Sequence, residues 1–286
     1  MSRRNIEANP LTDRFGDYLT RIDDALKREL DLYSWSEFHA PLRYACEGGK
    51  RIRPLILVLS SEAINSKKVS QEAYLAASAI ELLHTESIIH DDIIDEENMR
   101  RGKPTFHVKF GYHSSILTAD FVLGVILNIG SKLNNTQVVN ELSNAATRMS
   151  EGEMMEIKLS KASGLSEDDY IKVLEYKTAA LFEASAKIGA ILGNATDDQV
   201  HAMTAFGNLL GIAYQIHDDL IDWNNEDKLF NMLVRQNHKS KEFVDRMERL
   251  YQSYAAKAKN ELRKIQCNSE AARHLEHLTD LASVQV

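Results

Sequence analysis

The chain has 286 residues, 44% of them hydrophobic, and a formal net charge of −8. That length and apolar content suffice for a sizeable core, whereas the acidity excludes nucleic-acid binding through bulk charge. Two cysteines, Cys46 and Cys267, make neither a disulfide framework nor a zinc site by themselves.

The opening stretch, "MSRRNIEANPLTDRF", lacks the apolar run of a signal peptide. Apolar stretches such as "FVLGVILNIG" fall short of the ~20 residues that span a bilayer, so a soluble, cytoplasmic protein without a transmembrane segment is expected. The four prolines all lie at or before Pro104, and no glycine follows Gly211. Long proline-free stretches rich in Ala, Leu, Glu and Lys favour helix, and no strand pattern is legible. The periodicity predicts helices near 14–33, 35–47, 51–64, 71–97, 113–133, 136–161, 167–193, 197–223, 240–265 and 269–282. Two of their starts carry capping-box signals, "SEDD" at 166–169 and "TDDQ" at 196–199. No linker divides these elements, which predicts one all-α domain over residues 1–286.

Two helix ends repeat one acidic pattern, "HDDIIDEEN" at 90–98 and "HDDLIDWNN" at 217–225. On a helix Asp91 and Asp95 share a face at i and i+4, as do Asp218 and Asp222, with Asp92 and Asp219 about 100° away. Isoleucines and leucines fill the spacers, so each end sets carboxylates beside an apolar wall. Taken singly, either is equally a solvated acidic helix end; the repetition favours metal binding. Mg²⁺ takes oxygen ligands and is held by one or two carboxylates plus substrate phosphates, so two facing clusters could grip a diphosphate. Basic counterparts occur in "EGGKRIRP" at 47–54 and "MRRGKP" at 99–104, where glycines admit close backbone approach and arginine forks match phosphate oxygens.

The combination of "GGKRIRP", "LLHTESIIHDDIIDEENMRRGKPTFH", "EYKTAALFEAS" and "GIAYQIHDDLID" resembles the trans-isoprenyl diphosphate synthases (polyprenyl synthetases) in order and spacing from about residue 40 to 223. The resemblance implies an all-α bundle of the isoprenoid synthase type around a central substrate cavity, a homodimer, and elongation of an allylic diphosphate with isopentenyl diphosphate. It implies Mg²⁺ on Asp91, Asp92, Asp95, Asp218, Asp219 and Asp222. It assigns isopentenyl diphosphate to Lys50, Arg53, His84 and Arg101, and the allylic substrate to Arg100, Lys177, Thr178 and Gln215. The chain departs from the family after Asp222, where no Gly-Lys pair occurs and Lys228, Arg235 or Lys239 would have to substitute. It departs again in "EGEMMEIKL", which has Glu153 and Glu156 where Gln and Asp are common. The growing tail is expected to run back along the helix from Asp91 past Ser87, Glu86 and Leu83. Because no bulky aromatic blocks that path, the product is expected to be all-trans and C20 or longer. A class I terpene cyclase and a regulatory subunit of a heteromeric synthase are the alternatives. The cyclase would not need the basic pocket at 50–53, and the subunit reading would be supported by missing aspartates.

Overall fold

The computed structural model describes residues 10–65, 69–162, 164–221, 229–238, 241–265 and 270–281. The described chain is helical almost throughout: α1 (Pro10–Asp31), α2 (His39–Cys46), α3 (Ile52–Asn65) and α4 (Gln71–Ile94) are followed by a two-strand hairpin. Then come α5 (Phe106–Phe110), α6 (Tyr112–Leu133), α7 (Thr136–Leu159), α8 (Glu167–Leu174), a π-helical turn (Glu175–Ala179), α9 (Ala180–Leu192) and α10 (Asp197–Ile221). Helices α11 (Leu229–Gln236), α12 (Lys241–Lys264) and α13 (Glu270–Leu281) complete it.

Helices α3, α4 and α9 form the centre. Leu55 to Leu59 on α3, Ile80 and Leu82 on α4, and Phe182 and Ile188 on α9 are all withdrawn from solvent. A second apolar cluster joins Tyr170, Val173, Ile216, Phe230, Phe243 and Met247 from α8, α10, α11 and α12. Both capping boxes form. Ser166 and Asp169 cap α8 reciprocally, and Gln199 accepts from the Thr196 amide at 3.0 Å.

Four sequence expectations change. The helix expected from residue 35 starts at His39, after a run of turns closed by bonds such as Ser36 N to Tyr33 O at 2.9 Å. The absence of strands is corrected by β1 (Met99–Arg100) pairing antiparallel with β2 (Lys103–Pro104). Its two-residue turn, Arg101-Gly102, has φ of 52° and 71°, the doubly left-handed pairing whose twist suits a tight hairpin. The helix expected over 167–193 is interrupted by the π turn, and α5 and α11 were not legible from periodicity.

Helix α6 carries "FVLGVILNIG" within 22 residues and is, among the described residues, the one helix long and apolar enough to cross a membrane by length and composition. Of that apolar window 44% is buried in the fold. The rest leaves Tyr112, Ile116, Leu123 and Leu127 exposed on its outer side.

Candidate active site

The C-terminal ends of α4 and α10, the hairpin, the π turn and α11 surround a cavity of about 1300 Å³. That exceeds a usual small-ligand pocket of roughly 300–1,000 Å³. Asp91, Asp95, Arg100, Arg101, Arg53, His84, Lys177, Thr178, Gln215, Asp218 and Asp219 all line it.

At the α4 end, Asp91 faces inward while Asp95 caps the helix, its amide bonded to the Asp91 carbonyl at 2.8 Å. Burial pushes the Asp91 carboxyl up to about 7, against the pull of Lys177 and helped by Glu153, Asp95 and Glu156. A buried carboxylate crowded by three other acids is one whose ionised form a divalent cation would stabilise. Asp92 behaves otherwise. It is buried, absent from the cavity wall, and accepts from Arg100 Nε at 2.5 Å.

At the α10 end neutral donors hold Asp219, while Asp218 attracts the Arg53 guanidinium. Asp219 accepts from Tyr170 Oη at 2.7 Å and from Gln215 Nε2 at 2.9 Å. The Gln215 carbonyl in turn accepts from Thr178 Oγ1 at 3.0 Å. Tyr214 hydrogen-bonds Asp218, and burial, reinforced by that carboxylate, pushes the phenol up to about 12. Asp222, Lys228 and Lys239 lie outside the described residues. Arg235 on α11 lines the cavity.

Lys177 and Thr178 owe their direction to the π turn, a widened coil that recurs at functional sites. It is packed between two glycines: a Cβ on Gly152 of α7 would collide with the Lys177 amide, and one on Gly211 of α10 would come within 2.6 Å of Ala179 Cα. Lys177 Nζ reaches Glu153 at 2.5 Å and Glu156 at 2.6 Å. Burial alone would lower its pKa, but Glu156, Asp91 and Glu153 outweigh it and hold the ammonium above its ordinary value.

Arg53 donates to His84 Nε2 at 3.1 Å and stacks 4.7 Å from the Phe182 ring centre. Burial and the neighbouring Arg53 and Arg101 depress His84 well below its ordinary value, leaving the neutral ring to accept. Arg53 lines the cavity, and its Nε is buried without a hydrogen-bond partner. Lys50 is exposed and contributes nothing to the wall.

Of the expected chain-length residues only Ser87 lines the cavity. Leu83 packs into the core. Glu86 turns aside, where burial and the nearby Asp120 raise its carboxyl. Sequence reasoning missed Tyr170 and Tyr214. The register of Tyr214 beside Gln215 in "GIAYQIHDD" was available as a signal; nothing in the local sequence marks Tyr170.

The polyprenyl synthetase family model matches residues 36–274, and the chain belongs to that family. It is 36% identical over 218 residues to a geranylgeranyl diphosphate synthase of Methanosarcina mazei, a match covering 74% of this chain and 67% of that one. The crystal structure of geranylgeranyl pyrophosphate synthetase from Pyrococcus horikoshii aligns with a TM-score of 0.85 at 26% identity, over 96% of this chain and 98% of that one. A polyprenyl synthase from Caulobacter crescentus, solved with calcium and isoprenyl diphosphate, shares the fold at 24% identity, with a TM-score of 0.84 over 96% and 97% of the two chains.

Proposed function

We infer that the chain is an all-trans prenyltransferase that condenses an allylic diphosphate with isopentenyl diphosphate to give a product of C20 or longer. The observation that carries this reading is one cavity lined both by carboxylates from two helix ends and by a buried, half-satisfied arginine. The Caulobacter relative's calcium and isoprenyl diphosphate and the Methanosarcina relative's name support the metal, the substrate class and the chain length.

Asp91, Asp95, Asp218 and Asp219 are the ligand set we assign to Mg²⁺, with Asp222 completing it. Asp92 acts differently, because its ion pair to Arg100 aims that guanidinium at the allylic diphosphate. The metal, when bound, supplies Lewis-acid stabilisation of the departing diphosphate. Lys177 and Arg100 add positive charge where pyrophosphate leaves, and Arg235 is our candidate for the missing lysine segment. Thr178 and Gln215 present dipoles to the allylic cation without a strong nucleophile. Arg53, His84 and Arg101 hold isopentenyl diphosphate, and Lys50 drops out of that set. The isopentenyl double bond attacks the cation, a carbon–carbon bond forms, and the departing proton passes to pyrophosphate. Apolar walls such as Leu174, Leu181 and Phe230 exclude the water that would trap the cation.

We further propose that this is one cytoplasmic domain that works as a homodimer through the exposed apolar side of α6. Trp35, 79% exposed, sits close by, where Phe38 stacks on Phe121 of α6 at 4.7 Å.

Pure protein incubated with Mg²⁺, an allylic diphosphate and labelled isopentenyl diphosphate should yield a labelled linear product of at least C20. Cyclised hydrocarbon without label would support a terpene cyclase, and inactivity relieved only by a second polypeptide would support a regulatory subunit. Light scattering on the purified chain reads the dimer directly.

A further inference from the structure

One guanidinium of the basic motif has no place in the cavity wall. Arg51 turns away from it and spends its donors on three other elements. Its Nε donates to Asp23 of α1 at 2.7 Å, its Nη2 to the Cys46 carbonyl closing α2 at 2.6 Å, and its Nη1 to Glu81 of α4. Both side chains of the last pair are nearly enclosed, 10% and 6% exposed. Glu81 is the buried carboxylate that the chemistry above leaves unused.

Arg51 lies two residues before Arg53 and at the mouth of α3, where its carbonyl accepts from the Leu55 amide at 3.0 Å and its φ is 52°. Glu81 lies one turn before His84 on α4. The ion pair therefore joins the two helices next to the Arg53–His84 bond. Gly49 makes the same point from the loop. A Cβ there would stand 2.9 Å from Arg101 Nη1 and 3.4 Å from Arg51 Nη1, so both guanidinia close on one backbone position. Three arginines crowded this way repel one another in a low-dielectric site. The Glu81 charge acts on each of them, Arg51, Arg53 and Arg101.

We propose that Arg51 and Glu81 are positioning residues for the isopentenyl diphosphate pocket. Glu81 neutralises Arg51 and fixes α3 against α4, so that Arg53 and Arg101 converge on the ligand while Glu81 itself stays clear of it. A buried pair of this kind adds little net stability; its value is the geometry it imposes on its neighbours. The inference rests on the substrate reading above. In that reading only Arg53 and Arg101 of the three guanidinia meet phosphate.

Calorimetric titration of the intact protein with isopentenyl diphosphate alone, which cannot turn over without an allylic partner, tests both. Binding by the wild type upholds the substrate reading, and no binding overturns that reading and this inference together. Given wild-type binding, Glu81→Gln should raise the Kd about tenfold, equivalent to ~1.4 kcal/mol. Arg51→Lys, which keeps the charge but loses the fork, should do the same and serves if the first variant fails to fold. Binding of Mg²⁺–pyrophosphate at the aspartate side should stay within about twofold in both. In an Arg53→Ala background, Glu81→Gln should cost less than about threefold, because its effect runs through Arg53. Tighter or unchanged binding in the folded variants, or a full tenfold cost in the Arg53→Ala background, overturns the proposal.

Discussion

The two aspartate-bearing helix ends carry nearly the same letters and hold different hydrogen-bond and ion-pair partners. At the end of α4, Asp91 and Asp92 are met by full charges: Lys177 with its two glutamates on one side, Arg100 on the other. At the end of α10, Asp219 is met by a phenol and an amide. An ammonium or guanidinium pair leaves when a better counter-charge arrives, whereas neutral hydrogen bonds stiffen a carboxylate in place. A repeated motif thus specifies a ligand type, and the neighbours specify how freely each ligand can change partners.

Removing one aspartate from each end is the coarsest way to probe this difference. Asp91→Ala and Asp218→Ala should each lower kcat by about 10³-fold or more, since each deletes a ligand that stabilises transition-state charge. Far-UV circular dichroism should remain helical, because relieving carboxylate repulsion does not unfold the apo chain. Near-normal turnover in either variant would remove that end from the metal site.

The isopentenyl pocket should respond separately. Arg53→Ala should raise the KM for isopentenyl diphosphate by roughly 10- to 100-fold, the scale of a lost charge-assisted contact, and the KM for the allylic substrate far less. Equal losses for both substrates would show that the pocket is wrongly apportioned.

Tyr170→Phe tests the stiffness attributed to the second end. It removes one hydrogen bond to a buried carboxylate, worth about 1.5–3 kcal/mol, and should cut kcat about tenfold while leaving the KM for isopentenyl diphosphate unchanged. A variant as active as the wild type would mean that the Tyr170 hydroxyl is dispensable for holding Asp219.

The first end should reveal itself in the pH dependence of stability. An aspartate in the unfolded chain ionises near ~3.9, whereas Asp91 in the fold ionises at about 7. Between those values the folded chain holds a proton that the unfolded chain has released, so this group's contribution to stability falls as pH rises from about 4 to 7. Metal-free protein should therefore lose urea resistance across that window. Asp91→Asn should flatten the loss, and Mg²⁺ should restore stability at neutral pH.

The smallest expected effect is on product length. Ser87→Phe places a ring in the cavity wall one turn before Asp91 and should shorten the main product by at least one C5 unit. An unchanged chain length by chromatography would move the tail away from α4.

Much of this was legible in the sequence because it depends on local pattern. The capping boxes at Ser166 and Thr196, the paired acidic ends and the glycine-punctuated arginines all announce themselves within a few residues. What escaped depends on contacts far apart in the chain. Tyr170 reaches Asp219 across 49 positions and Arg51 reaches Glu81 across 30, and neither partner is marked locally. Asp92 illustrates the limit of a motif: its letter matches its neighbours, yet Arg100 eight residues on claims its carboxylate. Helix α11 escaped because it is only eight residues long, too short for periodicity to register.

The π turn at Glu175–Ala179 has a consequence for how this chain tolerates change in length. A widened turn accommodates one residue more than an ordinary helical turn, so it absorbs that residue without changing the phase between α8 and α9. Deleting a single residue there would let the coil close into a continuous α-helix with α8 and α9 still in phase, so that only side chains within the turn change direction. The surrounding glycines, Gly152 and Gly211, would still accept the backbone, but Lys177 would swing out of line with Asp91.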